Sequence, residues 1–265
     1  MTARQNTDVG RALRAAFTAL LVPLLASFPV RALEAGGLPS PDRLVIVGAG
    51  YEPPWDTDIE LANGGPVLVE AVVSGVPGSL SPCLSCPEWP VFIPPGGTAH
   101  ATARLALTAF GWGFPAIRTV YVIPLNGPDP PTVTARVVNR ARPTQTTELP
   151  VIRYSTLEAL NPSVLSFPGA TRTSTARTNL ILAEARLFGT LSGTLEVFSS
   201  DGALLGSTTF EISRGRHSTL FLMDVLQTLG VPHLEGGQIR VTKTGGDGLL
   251  WGVLATVHED GRVRE

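Results

Sequence analysis

The chain has 265 residues and is poor in several things at once. Its two cysteines, Cys83 and Cys86, are too few for a disulfide framework, so a compact fold must rest on packed apolar cores. Charged residues make up 16% of the chain, below the roughly 25% usual in soluble proteins. With a net charge of -2 they provide no general attraction to nucleic acid or anionic lipid. Lys243 is the sole lysine among 20 basic residues, which reads as coding bias rather than mechanism. Beyond Val30 no stretch approaches the roughly 20 apolar residues of a membrane span. Nucleotide-binding glycine patterns are missing, and Gly189 to Gly193 reads GTLSG, with the serine misplaced for a nucleophile elbow. His100, His217, His233 and His258 stand singly, outside HxH or HExxH spacing. Asn161-Pro162-Ser163 is disqualified as a glycosylation site by its proline. The expectation from these absences is a protein that is not an enzyme and holds neither cofactor nor metal.

What the chain does contain is turns and short apolar runs. Its 28 glycines, 23 prolines and 43% hydrophobic residues point to many short strands around sizeable cores, not to long helices. Arg4, Arg11 and Arg14 precede an apolar run from Ala15 to Val30, and Val30-Arg31-Ala32 offers small residues where a signal peptidase reads. Residues 1–32 are therefore expected to be a signal peptide cleaved after Ala32. Pro23 and Pro29 interrupt the run and argue against a retained anchor. The expected localisation is secreted, periplasmic or cell-surface.

The strongest internal signal is a repeat. LVIVGAGYEPPWDTDIEL, Leu44 to Leu61, returns without a gap as LSFPGATRTSTARTNLIL, Leu165 to Leu182. Gly48-Ala49 match Gly169-Ala170, Thr57 matches Thr178, and Asp58 faces Asn179, all at an offset of 121 residues. That is about one domain length, and it suggests tandem duplication. The fold expected is all-β: two tandem antiparallel β-sandwich domains of immunoglobulin-like type, residues 33–150 and 151–265, each with one short helix. The boundary falls in the polar stretch Arg140 to Pro150.

Within the first copy, Leu44 to Val47 is expected as an edge strand. Asp56 to Leu61 alternates polar and apolar, as a half-buried strand does. Asn63-Gly64-Gly65-Pro66 is read as a hairpin turn into Val67 to Val73. Thr98 to Leu107 fits strand or helix, and Ile117 to Ile123 and Thr132 to Val138 read as strands. The second copy is expected to form strands at 164–167, 178–183, 193–198, 204–212, 238–243 and 249–257. Asp201-Gly202 marks a hairpin turn. Ser218 to Leu229 carries apolar residues at helical spacing and ends in Gly230, with Leu105 to Phe110 as its counterpart.

Three sets of residues are candidates for chemistry. Cys83 and Cys86 form a CxxC in a loop, PCLSCP, and outside the cytoplasm the first expectation is a loop disulfide. Pro87 stands where a haem attachment would need histidine, and no further ligands complete a zinc site. Asp56, Asp58 and Glu60 put three carboxylates on one strand face, where calcium binding or acid-base work competes with a solvated surface. Their counterparts Arg177, Asn179 and Ile181 favour the solvated surface, with Asp58 and Asn179 as acceptors of backbone hydrogen bonds. Trp55 and Trp89, beside proline-rich loops, are the candidate binding residues, suited to stack on sugar rings or anchor a protein interface.

At Arg177 to Leu180, RTNL, the second copy resembles exported bacterial β-sandwich repeat modules with WxTD- or RTNL-type strands. The Asp201-Gly202 turn and a helix ending in Leu229-Gly230 follow that pattern, whereas Ala183-Glu184 departs from it. The resemblance implies the fold and export, and it brings no catalytic residues. The function expected is surface adhesion, recognition or scaffolding, with a cell-surface glycan or protein as partner. A hydrolase or accessory domain acting on cell-surface polysaccharide, and a purely structural spacer, are the alternatives.

Overall fold

The computed structural model describes residues 43–51, 53–75, 88–108, 116–126, 130–186, 189–213, 219–258 and 263–264. They belong to one compact unit that runs from Gly37 to Glu265. The expected signal peptide, residues 1–32, lies outside the described residues.

Nine strands come first: β1 (Leu44–Tyr51), β2 (Trp55–Ala62), β3 (Val69–Ser74), β4 (Glu88–Ile93), β5 (Thr98–Thr102), β6 (Ala116–Pro124), β7 (Thr132–Asn139), β8 (Thr146–Leu149) and β9 (Val151–Arg153). A short helix, α1 (Ala103–Thr108), sits between β5 and β6, and α2 (Tyr154–Leu160) follows β9. Then come β10 (Val164–Arg172), β11 (Ala176–Glu184), β12 (Leu191–Phe198), β13 (Leu204–Ile212) and β14 (Thr219–Leu222). The last elements are α3 (Val225–Thr228), β15 (Leu234–Gly245), β16 (Leu250–His258) and β17 (Val263–Arg264). The fold is all-β, built from four sheets ordered β4-β3-β6-β1-β9, β5-β2-β7-β8, β10-β15-β12-β13 and β14-β11-β16-β17.

The repeat in sequence is a repeat in topology. With β9 set aside, the first two sheets map strand for strand onto the last two. Ala62 pairs with Thr98 as Ala183 pairs with Thr219, so the 121-residue offset holds through that ladder. Both copies carry a register shift at the matched glycine: Gly48 at φ 86° lies between Val47 and Ala49, and Gly169 at φ 83° lies between Pro168 and Ala170. Positive φ is open to glycine at little cost, which is why a glycine occupies the bulge twice. The buried threonines complete the match. The Gly50 N–H donates to Thr57 Oγ1 (2.9 Å), whose hydroxyl donates back to the Gly50 carbonyl (3.2 Å). The Thr171 N–H donates to Thr178 Oγ1 (2.8 Å), and that hydroxyl returns to the Thr171 carbonyl (2.7 Å).

Three cores stack the four sheets in layers. Leu44, Ile46, Val73 and Val122 of one sheet meet Ile59, Leu61 and Ala135 of the next, forming the first sandwich. Leu180, Leu182 and Leu250 meet Leu195, Val197 and Val241 in the second, with Val225 and Leu226 of α3 plugging it. A third core joins the sandwiches: Val45, Val47 and Tyr121 on the back of the first sheet pack on Ile181, Ala183 and Val253 on the back of the last. Tyr154 and Leu157 of α2 lie in this seam. β1 is thus buried on both faces, and so is β11 from Leu180 to Glu184, which explains the unbroken runs LVIV and LILA.

Several expectations change. Leu44 to Val47 is not at an edge, because β9 extends the sheet beyond β1 by pairing Leu44 with Arg153. β9 therefore joins the first sheet although it begins at residue 151. β2 and β3 form no hairpin: the chain crosses from one sheet to the other at Asn63. The Asn63 side chain is buried there and donates to the carbonyls of Val67 (2.7 Å) and Ile93 (3.1 Å), tying the crossing down. The expected helix 218–229 shrinks to α3, because Thr219 to Leu222 is recruited as a strand beside β11. Tertiary pairing overrides the helical spacing. The ambiguous 98–107 is both, strand β5 and then α1. The stretch 140–150 holds β8, and the positions that match α2 at the 121-residue offset, 33–39, lie outside the described residues. The Asp201-Gly202 hairpin forms as expected, with the Gly202 N–H donating to the Ser199 carbonyl (3.1 Å).

Candidate functional site

Strand alternation sends Ile59 and Leu61 of β2 into the first core and Asp58 and Glu60 out to solvent. Asp58 lies opposite Thr102 of β5 and Arg136 of β7, and Glu60 lies opposite His100 and Thr134. These six side chains line a shallow groove of about 320 Å³ on the outer face of the β5-β2-β7-β8 sheet. Asp58, Glu60 and Arg136 are held by two ladders each and His100, Thr102 and Thr134 by one, so the groove is built on rigid elements.

The three carboxylates of β2 have three different surroundings. Asp56 is buried and structural: its Oδ1 accepts from the N–H of Thr57 (2.8 Å) and of Arg104 (3.2 Å), the latter in the first turn of α1. Asp58 is engaged by Arg140, which donates to both of its carboxylate oxygens and reaches Asp56 at 3.3 Å. Those bonds, to Asp58 above all, hold the Arg140 guanidinium above its ordinary pKa. Glu60 meets Arg136 at 3.8 Å, with both side chains more than a third exposed. A loose, exposed pair of this kind contributes little stability and opens readily to a ligand. In the second copy Asn179 accepts the N–H of Asp224 (3.0 Å), just before α3. The expected backbone acceptor is therefore Asn179 there, whereas in the first copy it is Asp56 rather than Asp58. Among the described residues no three His, Cys, Asp or Glu side chains gather as metal ligands.

The tryptophans do not meet. Trp89 of β4 pairs with Val73, Val73 with Val122, and Val122 with Leu44 at the start of β1. Trp55 follows Tyr51 at the far end of β1, beyond the cis Pro53-Pro54 bond, so seven strand residues separate the two levels, on the order of 20 Å. Trp55 is half-buried and has the core-facing parity of Thr57 and Ile59, while Trp89 is 37% exposed at a sheet edge. Neither lines the groove. Cys83 and Cys86 lie outside the described residues, as does Trp112.

The seam holds a second polar cluster with no sequence forewarning. Arg43 is 1% exposed, its guanidinium 3.7 Å from the Tyr154 ring centroid and 5.5 Å from that of Tyr121, and its Nη2 donates to the Ala185 carbonyl (3.0 Å). Burial pulls this guanidinium below its ordinary pKa. Glu184, equally buried, accepts from the N–H of Arg186 and of Leu249, yet desolvation pushes its carboxyl up to about 7. The continuous apolar runs of β1 and β11 were the available signal for this seam, since strands covered on both faces lose their alternation. For the groove the signal was weaker. Asp58 and Glu60 stand out in sequence, but His100, Thr134 and Arg136 join them only through strand register.

Comparison of the chain with protein-family models, with curated proteins and with solved structures gave no match. Among the described residues no helix is long and apolar enough to cross a membrane.

Proposed function

We propose that this chain is an exported, non-catalytic recognition protein, akin to bacterial surface β-sandwich repeats, that binds a cell-surface glycan or protein through the outer face of its β5-β2-β7-β8 sheet. The observation that supports the reading is the groove itself. It combines an imidazole, two hydroxyls, two carboxylates and a guanidinium on rigid strands, and its Glu60–Arg136 pair is loose enough to be exchanged for a ligand's hydrogen bonds. A carboxyl held protonated near neutral pH is what a general acid needs, and Glu184, which has that character, is buried in the second sandwich and not in the groove. The test is co-sedimentation of the protein with insoluble polysaccharides and bacterial envelope fractions, beside Arg136→Ala, His100→Ala and Trp89→Ala variants. Binding that falls at least tenfold in the Arg136→Ala and His100→Ala variants and survives Trp89→Ala is the expected result, a loss of roughly 1.4 kcal/mol or more. Binding to no fraction would favour a structural spacer. Binding sensitive only to Trp89→Ala would move the site to the β4 edge.

A further inference from the structure

Among the described residues the four sheets have eight edges, and seven of these are blunted. β5, β8, β9, β14 and β17 are five, four, three, four and two residues long. β4 carries Pro90, and β10 carries Pro168 and two register shifts. Short strands, proline and bulges are the devices by which sheets avoid pairing with other chains. β13 has neither shortness nor proline, and its one bulge, at Leu205, leaves the run from Gly206 to Ile212 regular. It is nine residues long, LLGSTTFEI, with no proline or basic residue, and Glu211 is its only charge. Among the described residues it pairs with β12 alone, in regular register from Ile212 back to Gly206. Every second residue therefore turns a backbone N–H and C=O outward. Leu204 and Leu205 beside this edge are 56% and 43% exposed.

We infer that β13 is the dimerisation edge of this protein, pairing antiparallel with β13 of a second copy to join two four-stranded sheets into one of eight strands. The edge is self-complementary about Thr208. A two-fold axis through that residue sets Ser207 opposite Thr209 of the second copy and Leu205 opposite Glu211. Ser207, Thr209 and Glu211 share the outward face, since their β12 partners Glu196, Thr194 and Ser192 face away from the second core, and Leu205 is the exposed residue of the bulge beside them. Glu211 then meets an aliphatic chain, no like charges oppose, and hydroxyls face hydroxyls across the axis. This pairing uses a surface separate from the proposed groove, which lies on the first sandwich.

Sedimentation equilibrium of the whole protein tests it. The wild type is expected at twice the monomer mass, with monomer appearing on dilution. A Ser207→Lys/Thr209→Lys variant would place ammonium groups against each other twice across the axis. The dissociation constant should then rise roughly a hundredfold or more. Both positions are exposed, so the ladder to β12 and the far-UV circular dichroism should be unchanged. A Ser207→Glu/Thr209→Glu variant should likewise be monomeric, and an equimolar mixture of the two should restore the dimer by opposing unlike charges. A wild type that stays monomeric at all concentrations overturns the inference. So does a dimer indifferent to both variants, or a mixture that remains monomeric.

Discussion

The two sandwiches agree in strand order and nearly in register, yet they bury opposite sheets in the seam. The first contributes the back of its β1 sheet and the second the back of its β11 sheet. Matched positions show the difference in side chains. Val45 and Val47 of β1, in the seam, correspond to Ser166 and Pro168 of β10, whereas Ile181 of β11, in the seam, corresponds to Glu60, in the groove. The packing is therefore head to tail: unlike faces of like units meet. The groove exists on the first sandwich because, among the described residues, no sheet packs on that face, and the duplicated strand is free there to carry charge. Topology sets where a face points, and the residues on it decide whether it is a core or a binding surface.

Truncation along one matched column gives the largest contrast. Leu180→Ala and Ile181→Ala each remove a large aliphatic side chain at positions 0% and 5% exposed, one in the second core and one in the seam. Each should cost about 2–4 kcal/mol in urea or thermal unfolding. Glu60→Ala, at the counterpart of Ile181, should change stability by no more than about 0.5 kcal/mol. A negligible cost for Ile181→Ala would mean that the seam is not a true core, and the comparison would fail.

Next comes pH. The Glu184 carboxyl is raised from 4.5 to about 7 in the folded chain. A raised folded pKa means that the folded state holds the proton longer, so its stabilising contribution is complete below pH 4.5 and is lost as pH climbs to about 7. Over that window the wild type should lose up to roughly 3 kcal/mol from this group. Glu184→Gln, with a neutral side chain at every pH, should flatten the profile in that window. Persistence of the full slope in Glu184→Gln would assign it to another group.

The smallest and sharpest test concerns the matched threonines. Thr57→Val and Thr178→Val remove the same pair of hydrogen bonds at the same bulge, and each should cost about 1 kcal/mol, on the scale of a buried hydrogen bond. Unequal costs, measured by chemical denaturation, would show that the two bulges are not energetically equivalent despite their shared geometry.

Much of this was legible in the chain before folding. The Gly48/Gly169 and Thr57/Thr178 matches, the period-two alternation of β2 and the Asp201-Gly202 turn depend on residues a few positions apart. Local backbone preference and alternation determine them, so the all-β class, the repeat and strands such as β13 follow from sequence alone. The misread elements are those decided by distant neighbours. Thr219 to Leu222 has helical spacing and becomes a strand because β11 offers it a ladder. Val69 to Ser74 follows a turn signal and still leaves β2 for the opposite sheet, because it finds β4 and β6 there. Leu44 to Val47 is interior because β9, about a hundred residues on, closes it. The burial of Arg43 between two tyrosines, the raised carboxyl of Glu184 and the convergence of His100, Thr134 and Arg136 on Asp58 and Glu60 belong to the tertiary structure alone. They arise from strand register and from the choice of which faces stack, and neither is written in any single segment.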